Sequence, residues 1–560
     1  MKRTIQIGTL VLSLFGCDGC ESETLDELPD AVIAEDASGF EDATSSEDAF
    51  VSADAGDLED AGVAEDAEIP QDAFDSEDAS SPIAADFFGP DRFMRIADGE
   101  GGFPEGELDA GDRFARDHDQ AGDINGDGVT DLIVGARSDD DGGTDRGAAY
   151  VLFMNADGSV ASHQKISDLE GGFSEPLIDG NFFGYGVAGI GDYDGDDIPD
   201  VAVSALGRGN TALYILHLNR DGTVKSMVKN DGLVGQGLSA MDLNEDGKLD
   251  LVAADPNAAG GGLIRLVFFD EESVVIDEET VTIGEGMGGF GEGLEDGDSF
   301  GGRESALLGD IDGDGTLELA VGAFQSEDGI GAIWILSLDA ETFEVVDKRK
   351  VGPGFAGFEE TIPNDMNNNG TTGGHFGHAM VAPGDINGDG VPDLITGANQ
   401  FESGVGYVLY LNADKTVRTY TRINEGEGGF DLVLGEADRF SRSMALVDRT
   451  DTGFTVNMGG GVSVGGSGAI YALTFHACSI DEQEGETFWS GGTTLFSNWN
   501  HGTQTVTGAM SYEQCLMRAF ELGGSHITAK ALDGRCIIKD ESAVLTESEE
   551  GSQAYIRRCP

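Results

Sequence analysis

The chain runs to 560 residues and carries 106 acidic against 31 basic side chains, a formal net charge of −75. That balance excludes nucleic acid and argues against an anionic membrane surface as partners, because like charges repel at every approach. It suits loading with a divalent cation and would equally suit a salty habitat.

At the N-terminus, Lys2 and Arg3 precede an apolar run from Ile5 to Phe15 that is too short to span a bilayer. Cys17 follows Leu14, Phe15 and Gly16 in an arrangement that resembles a bacterial lipoprotein signal, with Phe15 an unusual occupant. The resemblance implies that residues 1–17 are signal peptide and lipobox, that Cys17 is lipidated, and that the protein is anchored in the cell envelope or at the cell surface. An ordinary secretory signal cleaved nearby is the alternative, and both readings lead outside the cytoplasm. Residues 18–82 contain no Lys or Arg, and Asp-Ala recurs every six residues from Asp30 to Asp78. Such a stretch repels itself and buries no core, so an extended, disordered tether with a contour of about 200 Å is expected.

Residues 83–477 repeat. A nine-residue acidic loop occurs five times, with donors at positions one, three, five, seven and nine. In the first loop these are Asp123, Asn125, Asp127, Val129 and Asp131; in the second, Asp192, Asp194, Asp196, Ile198 and Asp200. The third offers Asp242, Asn244, Asp246, Lys248 and Asp250; the fourth, Asp310, Asp312, Asp314, Thr316 and Glu318; the fifth, Asp385, Asn387, Asp389, Val391 and Asp393. Calcium takes several oxygens at about 2.3–2.6 Å, and such a turn supplies side-chain oxygens at four positions and a backbone carbonyl at the seventh. Gly128, Gly247, Gly315 and Gly390 at position six permit a positive φ, and Asp197 is a residue type that tolerates one. The loop resembles an EF-hand loop as far as position five, then closes at nine and runs into a strand. About five Ca²⁺ sites are expected.

After each loop comes a short apolar run ending in small residues, such as Leu132–Ala136 or Leu394–Ala398, and then a further strand pair joined by a polar turn. Phe-Gly lead-ins precede most loops, as at Phe183, Phe300 and Phe376. These features resemble the FG-GAP repeat of the integrin α-subunit propeller, with four antiparallel strands per repeat. The expected fold is therefore all-β, a propeller of six blades, alternatively seven. A sixth repeat from Phe440 lacks the loop pattern, so no metal is expected at Asp448 and Asp451, and it lacks a fourth strand. Arg92–Ile96 is expected to complete that blade and close the ring.

Strand direction puts the acidic loops on one face with the three-four hairpins. The two-three loops and the EGGF links between blades fall on the other. In the family resembled, ligands bind the second face and metals stiffen the first. Candidate contact residues there are Ser138–Gly147, Asn399–Gly404 and the link residues Phe103, Phe173, Phe290, Phe358 and Phe430, packing between blades being the alternative for the Phe side chains. His375 and His378 in HFGH could ligate a transition metal, but a structural role suits their place before a loop.

Residues 478–560 hold four of the six cysteines, Cys478, Cys515, Cys536 and Cys559, and Cys20 lies beside Cys17. In an exported protein four cysteines imply two disulfides, and the expected pairs are 478–559 and 515–536. Ser511 and Gln514 form a capping box ahead of a helix ending near Gly523, and a strand begins at Arg535. The segment weakly resembles a PAN/apple module; a disulfide-stapled end cap is the alternative.

No catalytic elbow, phosphate loop or zinc spacing is present in the sequence, and no cofactor beyond calcium is implied. The expectation is a calcium-binding surface protein, not an enzyme, acting in adhesion or in binding an extracellular protein or glycan. The alternative is a hydrolase or polysaccharide lyase on a propeller scaffold. A cluster of His, Tyr and Arg converging on the central channel would favour the enzyme, and the sequence displays no such set.

Overall fold

The computed structural model describes residues 92–476 except 208–209, 234, 271, 278, 363–372, 426–433, 435–437, 451–452 and 461–466, together with the backbone of five strands between 480 and 556. Strand β1, Arg92–Ile96, comes first in the chain and last in the ring. Blade one is β2 (Phe114–Gly122), β3 (Asp131–Ala136), β4 (Ala148–Met154) and β5 (Val160–Ile166). Blade two is β6 (Phe183–Gly191), β7 (Asp200–Gly207), β8 (Asn210–Leu218) and β9 (Val224–Asp231); blade three is β10 (Gly237–Met241), β11 (Asp250–Asp255), β12 (Leu263–Val267) and β13 (Val281–Gly284). Blade four is β14 (Ala306–Gly309), β15 (Leu317–Ala323), β16 (Ala332–Leu338) and β17 (Val345–Val351); blade five is β18 (Phe376–Gly384), β19 (Asp393–Ala398), β20 (Val405–Leu411) and β21 (Val417–Ile423). Blade six joins β22 (Ser443–Thr450), β23 (Gly453–Gly460) and β24 (Ala469–His476) to β1.

Each of these six sheets is antiparallel and four-stranded, so residues 92–476 form a six-bladed β-propeller. The ring closes as the sequence reading expects: β1 pairs with β24 from Arg92 opposite Thr474 to Ile96 opposite Ile470. At the join β2 lies beside both β6 and β22.

Burial explains why a lone blade would not be stable. Every residue of β3, β4, β16, β19 and β20 is buried, which a two-sided sheet achieves only between neighbours, whereas β5 buries just its end residues. The apolar side chains accordingly form six clusters, one per blade interface. Link residues complete them. Phe103 packs on Phe114 and Tyr150, Phe173 on Phe183 and Tyr214, Phe290 on Phe300 and Trp334, and Phe358 on Phe376 and Tyr407, with ring centroids 4.7–6.0 Å apart. No EGGF link precedes blade three, and its interface with blade two uses Leu238 with Tyr193 against Phe269 instead.

Two places depart from the regular repeat. The third strand of blade three stops at Val267, because Phe269 turns back to bridge Val275. In blade six, β22 and β23 continue their ladder to Thr450 opposite Gly453, which leaves no room for a nine-residue loop and agrees with the missing loop pattern there.

The C-terminal strands β25 (Ile480–Glu482), β26 (Thr503–Thr507), β27 (Ile527–Leu532), β28 (Arg535–Lys539) and β29 (Gln553–Ile556) form a sheet of order β25-β29-β27-β28-β26. The strand expected at Arg535 is β28. The helix from Ser511, the cysteine pairings, Cys17, the acidic tether and Phe430 lie outside the described residues. No described helix is long and apolar enough to cross a membrane.

Candidate metal loops and the axial face

All five loops share one hydrogen-bond frame. The first-position carboxylate accepts the N–H of position five at 3.0–3.2 Å and of position six at 2.7–3.0 Å. The fifth-position carboxylate accepts the N–H of position seven at 2.8–3.0 Å, in the loops of Val129, Ile198, Lys248, Thr316 and Val391. Position six has positive φ throughout, as the sequence reading expects, including Asp197 at 62°. Position four does too, at Gly126, Gly195, Glu245, Gly313 and Gly388, a requirement the sequence reading missed.

The ninth-position side chain is buried and ties the loop to the blade. Asp131 accepts from Ile124 N and Met154 N, Asp200 from Tyr193 N and Leu218 N, and Asp393 from Ile386 N and Leu411 N, at 2.9–3.1 Å. Asp250 accepts from Leu243 N and Glu318 from Ile311 N. The partners at Met154, Leu218 and Leu411 end the third strands, which places loops and three-four hairpins on one face. Burial pushes Asp131 up to about 6 and Asp200, Asp250 and Asp393 up to about 7.

The donor set fits a hard divalent ion. Asp192, Asp194 and Asp200 bring one oxygen each within 4.8 Å of the others, as do Asp310, Asp312 and Glu318. The other three loops have Asn125, Asn244 and Asn387 at position three, an amide oxygen in place of the third carboxylate. A cation already stands at both carboxylate-only sites: Lys225 Nζ lies 2.7 Å from Asp194 and 2.5 Å from Asp196, and the buried Lys415 reaches from blade five to Asp312 at 2.9 Å and Glu318 at 3.5 Å. In the fifth loop Arg418 pairs with Asp389.

On the opposite face, the candidate contact residues are corrected. Phe103, Phe173, Phe290 and Phe358 are buried between blades and offer nothing to a ligand. The loop from Ser138 is largely self-satisfied: Lys165 bridges Asp139 and Asp141 at 2.9 Å, and Arg146 holds Asp168 and Asp179. Asn399 and Gln400 are buried, while Glu402 is exposed and pairs with Arg422.

An FG-GAP repeat model matches residues 120–152, 302–336 and 380–411, which fall in blades one, four and five. This domain is an integrin α-like FG-GAP β-propeller. Integrin alpha-V of Gallus gallus is 28% identical over 275 residues, 47% of this chain and 25% of that protein. Integrin alpha-5 of Xenopus laevis is 29% identical over 238 residues, covering 39% and 20%, and integrin alpha-3 of Cricetulus griseus 33% over 132, covering 23% and 12%. The chain thus spans a quarter or less of the length of these curated relatives.

The FG-GAP propeller also holds a cluster that the sequence reading did not find. In β2, β6 and β18 the inner strand gains two residues over its partner between Phe114 and His118, Phe183 and Val187, and Phe376 and Met380. Each bulge carries Arg116, Tyr185 or His378, preceded by a residue of positive φ, Ala115, Gly184 or Gly377. Arg442 follows Ser441 in the same way, and Arg303 stands at the start of blade four. These side chains converge. Arg137 and Arg303 lie 4.0 and 5.1 Å from the centre of the Tyr185 ring, Arg303 N donates to the His378 carbonyl, and His378 Nδ1 is 2.8 Å from the Arg442 carbonyl. Burial and then the neighbouring Arg442, Arg137 and Arg303 push Arg116 down from its ordinary value. Burial lowers His375 to about 4 and His378 as well; their rings stack 6.4 Å apart beside Phe324. The statement that no His, Tyr and Arg set converges is therefore overturned. Its signal was present: Arg116, Tyr185, Arg303 and His378 each stand seven residues before the first aspartate of their loop.

Proposed function

We propose that this chain is an exported calcium-binding protein whose propeller presents a ligand face for adhesion or for binding an extracellular protein or glycan, without catalysis. An integrin α-like FG-GAP propeller fits a ligand-binding or adhesion role, and the reading extends that role to a surface setting, with lipid on Cys17 as the membrane contact. The supporting observation is the shared frame of five oxygen-rich loops on one face. Asp123, Asp192, Asp242, Asp310 and Asp385 with their third- and fifth-position partners would hold Ca²⁺, and the ninth-position residue would couple each ion to a blade. The ion supplies positive charge that cancels repulsion among the loop carboxylates. The protein's own residues keep the ring rigid, so the opposite face stays preorganised for its ligand.

A binding screen against glycans and cell-surface proteins, with and without EDTA, tests this reading. Binding lost in EDTA and restored by calcium supports it; binding indifferent to EDTA breaks the link between metal and function. The second reading, a hydrolase or polysaccharide lyase, is favoured by the Arg, His and Tyr cluster at the axis. Turnover of a polysaccharide, abolished by Tyr185→Phe or His378→Gln, would replace the first reading with the second.

A further inference from the structure

Four guanidinium groups lie together, and none is in close contact with a carboxylate. The chain has more than three acidic residues for each basic one, yet Arg116, Arg137, Arg303 and Arg442 form no ion pair within 4 Å among the described residues. Cations on the loop face, such as Lys225 and Lys415, do find carboxylates. Arg137, Arg303 and Arg442 are 6–7% exposed, and the Nε atoms of Arg137 and Arg442 have no hydrogen-bond partner. Burying a charge without a counter-charge is costly, so a fold that gathers four of them is short of an anion.

The nearest carboxylates do not fill that role. Asp117 and Glu304, from blades one and four, lie close to each other and to Arg303; burial and then the Asp117 charge raise Glu304 well above the ordinary range, and burial raises Asp117 to about 6 although Arg303 and Glu304 pull it down. A pair that shares a proton brings less than its formal charge. The arrangement is also built by the backbone. Positive φ at Ala115 and Ser441, 57° and 66°, is strain at non-glycine residues, and it sits directly before Arg116 and Arg442. Arg116 and Tyr185 are partly exposed, so the cluster is not sealed from solvent.

We infer that the axis, on the face opposite the acidic loops, binds an oxyanion, a carboxylate or sulfate group held by Arg116, Arg137, Arg303 and Arg442 beside Tyr185. Guanidinium forks match the paired oxygens of such groups, and chloride would satisfy the charge without the geometry. The inference rests on the reading of this face as the ligand face and names the chemistry of its ligand.

The test titrates the calcium-loaded full chain with sodium sulfate and with sodium glucuronate in separate calorimetry runs at constant ionic strength in chloride, with glucose as the neutral control. Saturable binding with one anion per chain is expected, weakened about tenfold or more in Arg442→Gln. Arg116→Gln, at a partly exposed position, provides the same comparison if Arg442→Gln does not fold by circular dichroism. Equal affinity for sulfate and glucuronate supports the site with any small oxyanion as its ligand; glucuronate alone supports it with an acidic sugar as the source. No saturable binding of either, or affinity unchanged in Arg116→Gln, overturns it. Anion binding by a chain that captures neither protein nor glycan would sink the adhesion reading and leave this one standing.

Discussion

At the residue scale the loop carboxylates set a pH dependence whose sign calcium should reverse. Burial holds Asp200, Asp250 and Asp393 near 7, far above the ordinary aspartate value of about 3.9. The folded chain therefore binds more protons than the unfolded chain between roughly pH 4 and 7, and stability falls as pH rises through that window. In EDTA, at high salt to screen general repulsion, the melting temperature should be higher at about pH 5 than at about pH 8. Saturating calcium favours the ionised loop acids and should flatten or invert that order. Scanning calorimetry decides, and a melting temperature that climbs with pH in EDTA would refute the account. Lysines give a second residue-scale prediction. Lys415 is buried against Asp312 and Glu318, so Lys415→Met should tighten calcium at the fourth loop several-fold. Lys225→Met should do less at the more solvated second loop, and terbium luminescence competed with calcium would read both.

At the element scale, each link phenylalanine is a spacer between blades. Phe358 is fully buried against Phe376, Tyr407 and Tyr420, so Phe358→Ala should cost about 3–5 kcal/mol, read as a lowered urea midpoint with an unchanged slope. Glu341→Ala, at an exposed position in the hairpin of blade four, serves as the comparison and should change stability far less. Closure is a second lever. Removing residues 1–98 takes away β1 and exposes the edge of β24, so the truncated protein should melt lower and self-associate by size-exclusion chromatography. These elements were legible because the repeats are in phase: a loop, a strand and a hairpin recur together, and Arg92–Ile96 was the piece a sixth blade lacked. The axial cluster was not legible, because its members come one per repeat and differ in type. Arg116, Tyr185, Arg303 and His378 become a set only when a closed ring brings together the position seven residues before each loop. Glu245 hid a different rule, since only coordinates show that position four also needs positive φ.

At the scale of the whole molecule, two opposite demands are separated by face. Acidic loops gather negative charge at the C-terminal ends of the inner strands, while Arg116, Arg303 and Arg442 stand within or just before the other ends of inner strands and Arg137 just after β3. Each loop's ninth residue is hydrogen-bonded to backbone on its own blade, so an ion bound there stiffens that blade without a chain of side chains to the axis. Weak sites therefore act additively on one cooperative ring. At the weak extracellular end of calcium affinity, about 10⁻⁴–10⁻³ M, each site filled at about 1 mM adds roughly 0.4–1.4 kcal/mol, and five together add roughly 2–7 kcal/mol. That range is comparable with the whole stability of an ordinary domain. The melting temperature should consequently rise in a graded way as Asp123→Ala, Asp242→Ala and Asp385→Ala variants are repaired one at a time in millimolar calcium. In EDTA the same series should shift less, by the loss of the loop hydrogen bonds alone. Equal shifts with and without calcium would mean that the loops serve only as hydrogen-bonded turns, and the ring would then owe its rigidity to the six apolar interfaces alone.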